Sequence, residues 1–148
     1  MSTEPTTMAK AIKTWFRSCE YLSASNRFQI DNLGTKPTEY AIFMNPSTLA
    51  TFIDITGEVR VNSIQEVTFS FCSRESYSTD VLQQLANLGF YDSIIDWVLT
   101  QNKNKSFPTI DEGVVLSVVP TTTQYLFAVG SDSGRYQIQM KLTYRRKQ

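Results

Sequence analysis

Residues 135–144 read RYQIQMKLTY, and this stretch decides the fold class. Tyr136, Ile138, Met140, Leu142 and Tyr144 alternate with Gln137, Gln139, Lys141 and Thr143. Successive side chains of a strand point to opposite faces, so the pattern predicts a strand with one buried face and one polar face. Immediately upstream, the GSDSG run at 130–134 has the composition of a hairpin turn, and 125–129 reads as the strand it returns from. Further back, Val114, Val115, Leu116, Val118 and Val119 form a nearly continuous apolar run, expected of a strand covered on both faces.

The same logic extends toward the N-terminus. Val67, Phe69 and Phe71 alternate with Thr68, Ser70 and Cys72, the pattern of a half-buried strand. Tyr40, Ile42 and Met44 predict another, ending at the Asn45-Pro46 turn and preceded by turn chemistry at 32–37. Residues 49–62 (LATFIDITGEVRVN) have β-formers on both sides of Gly57-Glu58 but no clean alternation. That suits a hairpin projecting from the body better than a core strand.

Three segments carry helical periodicity. Met8, Ile12, Trp15, Phe16 and Cys19 lie on one face of a helix over about 7–20, with Thr6 or Thr7 as cap and Lys10, Lys13 and Arg17 on the opposite side. Val81, Leu82, Leu85 and Leu88 predict a second helix, with cap candidates in 76–80 and Gly89 in the place of a left-handed C-cap residue. Ile94, Ile95, Val98 and Leu99 predict a third over about 91–102, with Trp97 at the margin of its apolar side, Asp92 and Asp96 facing water, and Lys103 and Lys105 near its end. The expectation is a single α+β domain over 1–148: a mostly antiparallel sheet, about three helices packed on it, a projecting β-hairpin at 49–62, a flexible N-terminus at 1–5 and a basic tail at 145–148.

Composition narrows the chemistry. The chain has 148 residues, 14 basic against 14 acidic, two cysteines and no histidine. Histidine is the commonest general base and metal ligand near neutral pH, so Ser-His-Asp triads, Cys-His dyads and His-containing zinc sites are excluded. Carboxylate pairs, Ser-Lys pairs and Mg²⁺ sites stay open. No apolar run approaches the ~20 residues that span a bilayer. The opening MSTEPTTMAK has no basic and apolar leader pattern, and two cysteines suit a reducing compartment. Neither a catalytic residue nor a cofactor or metal ligand is assigned.

The remaining motifs are weak as chemistry. Gly130 and Gly134 precede a strand and lack a following GK[ST], so they make no phosphate loop. Asp111-Glu112 has no partner at recognisable spacing, and reads as solvated carboxylates or half of a metal or acid/base site. Cys19 and Cys72 sit in apolar patterns expected to bury inert thiols. Trp15 and Trp97 read as core anchors before stacking platforms. Charge placement says more: from Ser133 onward Arg135, Lys141, Arg145, Arg146 and Lys147 are basic and nothing is acidic. Such a stripe meets DNA phosphates, an acidic neighbouring subunit or only solvent.

Four segments, in order, resemble a family of tailed bacteriophages and prophages of Gram-positive bacteria, the tail terminators labelled "minor capsid protein". SRESY at 73–77 resembles its SRE-x-Y element after a Phe-rich strand, and PTEYAI at 37–42 its PTEYSI stretch. NLGFYD at 87–92 with Trp97 resembles its N-x-GFYE…W pair, and YLF at 125–127 with RYQIQ at 135–139 its ending. The chain departs from that pattern across roughly 45–62.

The resemblance implies a virion structural protein, not an enzyme. It would form a ring, usually a hexamer, capping the head-proximal end of the tail tube at the tail–neck junction. Its partners would be further copies of itself, the tube protein and a neck or connector protein. DNA would pass through the bore without sequence-specific recognition, and no membrane would be involved. Candidate subunit or tube contacts are Lys10, Lys13, Arg17, Asp54, Glu58, Arg60, Arg74, Glu75, Tyr77, Asp92, Asp96, Arg145 and Arg146. Ring contacts are heterologous, so a basic stripe at Lys10, Lys13 and Arg17, or the basic tail, would face Asp92 and Asp96 of a neighbour. Arg74, Glu75 and Tyr77 also read simply as a strand-to-helix connection. Another head–tail joining protein, or a DNA-binding accessory protein, is the alternative.

Overall fold

A computed structural model describes residues 7–22, 28–30, 39–76, 81–129 and 133–147. In chain order the elements are α1 (Met8–Phe16), β1 (Phe28–Ile30), β2 (Glu39–Met44), β3 (Thr51–Ile53), β4 (Val59–Val61), β5 (Ile64–Ser76), α2 (Val81–Asn104), β6 (Gly113–Pro120), β7 (Tyr125–Val129) and β8 (Ser133–Arg146). The result is a mixed α+β chain with a mostly antiparallel sheet. The strand order is β1-β2-β5-β8-β6, β7 also pairs with β8, and β1 lies parallel to β2. β3 and β4 form a separate two-stranded antiparallel sheet.

The alternation in β8 puts Tyr136, Ile138, Met140, Leu142 and Tyr144 in the core. Register aligns them with the buried row of β5: Phe71 faces Ile138 and Phe69 faces Met140. Tyr40 and Ile42 of β2 extend the row. α1 covers β1 and β2, and α2 covers β6. Between helices and sheet lies an aromatic cluster: the Phe16 ring stacks on Phe71 at 5.0 Å, and Trp15 meets Trp97 at 4.7 Å. Both tryptophans are buried, and the Trp15 indole N–H donates to Ser106 O at 2.9 Å. Offset and tilted ring pairs of this kind add to the stabilisation from area burial.

The sheet's other face carries a polar layer. Cys72, Gln137 and Ser70 are buried there, and the Arg135 guanidinium carbon sits 4.5 Å from the Phe43 ring centroid. Tyr125 Oη accepts from the Gln137 and Gln139 side-chain amides.

Several expectations need correcting. The described residues hold two helices rather than about three, because α2 runs unbroken through Gly89. Gly89 does not take the positive φ of a C-cap, and a Cβ there would meet open space. A glycine inside a helix costs only about 1 kcal/mol, which burial of Tyr91, Ile94, Trp97 and Val98 outweighs. The actual left-handed residue is Lys105, at φ 55°. Its N–H donates to Asn102 O at 3.2 Å and the Ser106 N–H to Gln101 O at 2.9 Å, closing a Schellman motif without glycine.

α1 stops at Phe16 rather than near residue 20. There the Ser18 hydroxyl takes the Trp15 carbonyl at 2.6 Å, and tight turns carry Cys19 and Leu22 into the core. Of the two cap candidates, Thr7 accepts from Lys10 N at 3.2 Å. β6 is not covered on both faces: Val115 and Val118 are buried while Val114 is 63% exposed. A bulge between Val115 and Ser117 explains why residues three apart share a face.

The basic tail begins inside β8, which continues through Arg146. Arg146 N donates to Ser63 O at 2.6 Å and Lys147 N to Glu112 O at 2.7 Å. Gly113, opposite Arg146, is required there, since a Cβ would collide with the Arg145 carbonyl. The N-terminus at 1–5, the turn at 32–37, the caps at 77–80, the centre of the 130–134 turn and Gln148 lie outside the described residues.

Candidate assembly surface

The β3–β4 hairpin is built around one carboxylate. Asp54 Oδ1 accepts from the Thr56 hydroxyl at 2.6 Å, Thr56 N at 2.9 Å and Glu58 N at 3.0 Å. Its Oδ2 accepts from Arg60 Nε at 2.7 Å. The Thr56 hydroxyl first, and Arg60 next, hold the Asp54 carboxyl down at about 2. Gly57, at φ 87°, completes the turn in a conformation open to glycine. Arg60 also lies 3.4 Å from Glu58. The three charged candidates of this segment, Asp54, Glu58 and Arg60, are thus brought together and satisfy one another.

The root of the hairpin is fixed by a buried amide. Gln65 Oε1 accepts from Ala50 N at 2.9 Å, and its Nε2 donates to Ala50 O and Asn62 O, both at 2.9 Å. The bond from Asn62 N to Ala50 O, also 2.9 Å, begins the ladder. The bonded pairs are therefore Ala50 with Asn62, Phe52 with Arg60 and Asp54 with Glu58. Thr51, Ile53, Val59 and Val61 occupy the alternate positions, so their side chains share one face and their own N–H and C=O groups turn to the outer edges.

That face is apolar and open. Ile53 and Val59 are each 71% exposed, and Ile55 at the tip is fully exposed. Of eleven large exposed hydrophobics among the described residues, six fall in this segment, Leu49, Phe52, Ile53, Ile55, Val59 and Val61, and Ile64 follows at the start of β5. Scattered apolar residues on a surface need no explanation, but a contiguous patch marks an interaction site.

The other candidates are dispersed. Lys10 and Arg17 are exposed on α1, Lys13 is half-buried in its last turn, and the Arg17 guanidinium carbon stands 5.3 Å over the Phe28 ring. Asp92 accepts from Gln124 Nε2 at 3.2 Å. Asp96 joins Glu20, Tyr21 and Trp97 around a groove of about 300 Å³. Arg74 is half-buried in β5, opposite Glu39 and Arg135 in register. Glu75 lies on β5 opposite Gly134, and Tyr77 lies outside the described residues. Arg145 stands in register between Ile64 and Val114. Arg146 and Arg60 line one groove of about 490 Å³ at the hairpin root, with Phe52 and Lys147.

Burial pushes the Cys19 thiol up and the Cys72 thiol to about 11, so both are protonated at neutral pH. Among the described residues no group of three or more histidine, cysteine, aspartate or glutamate side chains could hold a metal ion. No helix among them is long and apolar enough to cross a membrane. Sequence reading identified the hairpin charges but not its apolar face or Gln65. No local signal marked the face, since TFIDI at 51–55 forms a strand equally well with its side chains covered or bare. No protein-family model matches the chain, and no curated protein does.

Proposed function

We propose that the chain is a non-enzymatic structural protein of a tailed bacteriophage or phage-like particle. It forms a ring, a hexamer by that resemblance, that caps the head-proximal end of the tail tube, stops tube polymerisation and docks to the neck. The observation that carries this reading is the bare apolar face of β3 and β4, whose Ile53 and Val59 are each 71% exposed, on a two-stranded unit that is marginal without cover. The hairpin projects as an arm and gains its missing packing across a subunit boundary or on the tube.

The resemblance supports the particular role. Its elements fall at the start of β2, the end of β5, within α2, and on β7 and β8, so they span the sheet and the long helix. The charges suit head-to-tail contacts: Lys10, Lys13 and Arg17 on α1, or Arg145 and Arg146, against Asp92 and Asp96 of a neighbour. Localisation is then the tail–neck junction of the virion, after assembly in the bacterial cytoplasm.

The test is to mix the purified protein with assembling tube protein and image the products. Tubes of fixed length with a ring at one end are expected; unlimited, uncapped tubes overturn the reading. A second reading, another head–tail joining or tail-completion protein of the neck, rests on the same exposed hairpin and predicts binding to the connector without tube capping. A DNA-binding accessory role, resting on Arg145, Arg146 and Lys147, predicts steeply salt-dependent DNA affinity in the isolated chain.

A further inference from the structure

The candidate contact charges of this chain fall into two groups. On α1, the Arg17 guanidinium lies over the Phe28 ring, Lys13 is half-buried and Lys10 engages its own chain. Asp92 accepts from Gln124 Nε2. By contrast, Arg145, Arg146 and Lys147 are exposed at the end of β8, and Glu20 and Asp96 are exposed around the groove of about 300 Å³ beside α2. None of these five side chains makes an ion pair with a described residue.

Both patches stand on ordered backbone. Arg146 N donates to Ser63 O at 2.6 Å and Lys147 N to Glu112 O at 2.7 Å, so the cations sit on a pinned strand end. Glu20 lies in a tight turn between buried Cys19 and Leu22, closed by the bond from Leu22 N to Cys19 O at 3.3 Å. Asp96 precedes Trp97, which is buried against Trp15. Backbone that is already ordered loses little freedom when a partner arrives.

We propose that the end of β8, through Arg146 and Lys147, docks against the groove of Glu20 and Asp96 on a second copy of this chain. This names a contact for the self-associating reading above and rests on it. Three observations select the partner. The patches are opposite in sign and equal in charge: Glu20 and Asp96 carry two negative charges, and Arg145, Arg146 and Lys147 against neighbouring Glu112 carry two net positive ones. The grooves that hold Arg146 and Lys147 contain neither Glu20 nor Asp96, so the chain does not neutralise itself here.

The third observation is overall neutrality. The chain has 14 basic and 14 acidic residues, and Glu112 stands among the cations at the strand end. A surface for the phosphates of a polyanion carries a positive surplus, whereas a surface for its own complement needs none. The groove also suits an arginine: Tyr21, 47% exposed, offers a ring face beside the two carboxylates. The contact uses different surfaces on its two members, as a ring requires. Complementary charges set register and partner choice, and like charges placed there repel.

Sedimentation velocity on the full-length chain tests this. One variant carries Glu20→Lys with Asp96→Lys, the other Arg146→Glu with Lys147→Glu. Each should need at least about tenfold more protein to associate than the wild type, because like charges then meet. An equal mixture of the two should recover wild-type association, since every junction of an alternating assembly is again complementary. Raised salt should weaken the wild type and the mixture alike. Circular dichroism checks that both variants fold, and Glu20→Gln with Asp96→Asn supplies a milder form of the same loss. A wild-type chain that never associates, alone or with tube protein, overturns the proposal. So do reversed variants that associate as the wild type does, or a mixture no better than its parts. If Arg146→Glu with Lys147→Glu abolishes duplex DNA binding but leaves self-association intact, the cations belong to DNA and the proposal falls. Reversed variants that still cap tubes overturn it and spare the terminator reading. A mixture that recovers association but never caps a tube overturns the terminator reading and spares the proposal.

Discussion

Gln65 holds Ala50 at both of its backbone groups, accepting from its N–H and donating to its carbonyl at 2.9 Å each. A single side chain thereby acts as the missing strand neighbour at the root of the hairpin. Gln65→Leu keeps the volume and removes all three bonds, leaving Ala50 N–H and Asn62 O without the amide while Ala50 O keeps only the bond from Asn62 N. The expected cost is about 1–3 kcal/mol, since an unsatisfied buried polar group forfeits its solvation. Urea melts should show the loss, and hydrogen exchange should show it concentrated at residues 50–62. An unchanged melt with unchanged exchange would rule out the clamp.

Asp54 makes the hairpin tip sensitive to acid. Its carboxyl lies at about 2 in the folded chain against an ordinary 3.8, chiefly through the Thr56 hydroxyl and then Arg60. The depressed value means the unfolded tip binds protons more readily than the folded one. The stabilisation is therefore complete above about pH 4 and is lost as pH falls toward 2. Carbon-detected NMR should place the Asp54 midpoint near 2, and Arg60→Ala should move it upward. The amides of Thr56 and Glu58, which bond Asp54 directly, should lose protection over the same interval. A midpoint near 3.8 in the intact chain would refute the network.

Tyr91 ties α2 to two strands at once. Its hydroxyl donates to Tyr136 O at 2.9 Å and so must accept from the Ser73 hydroxyl, 2.6 Å away. The group is fully buried. Tyr91→Phe should cost about 1–2 kcal/mol and lower the melting temperature by roughly 2–8 °C at this chain length. Ser73→Ala removes the same bond from the other side, so the double variant should lose less than the two singles together. A coupling of about 1 kcal/mol is expected; strict additivity would mean that the two hydroxyls act independently.

What sequence reading reached and missed follows from the range of each interaction. β8 was legible because its buried and polar rows alternate within ten residues, and the local period alone determines its faces. β6 was not, because the bulge between Val115 and Ser117 is set by pairing with Tyr144 and Thr143 of β8, far along the chain. Gly89 misled because glycine ends a helix only where the backbone needs a positive φ, and packing of the Tyr91-to-Val98 turns keeps α2 going. Lys105 gave no signal for the opposite reason: a lysine accepts the left-handed cap when two carbonyls reward it. At the assembly surface the charges Asp54, Glu58 and Arg60 were readable as a group. The exposure of Ile53, Ile55 and Val59 was not, since β-branched residues predict a strand equally well whether its face is covered or bare.

Asn102 closes the edge of the main sheet, which tests whether that edge is kept free of partners. Its side chain accepts from Val118 N at 3.0 Å and donates to both Val118 O and Val98 O. Val118 faces Leu142 across the ladder, and its own polar groups turn outward to Asn102 rather than to β8. The amide thus does for β6 what another strand would do, and an open edge invites pairing with a second chain. Asn102→Ala should expose the Val118 N–H to exchange, cost about 1–3 kcal/mol in urea melts, and raise light scattering on warming. Adding Val114→Lys to that variant puts a charge on the exposed end of the same edge and should suppress the scattering without restoring stability. If Asn102→Ala loses stability but never associates, the edge is protected by other groups; if it loses neither, the amide has no structural role.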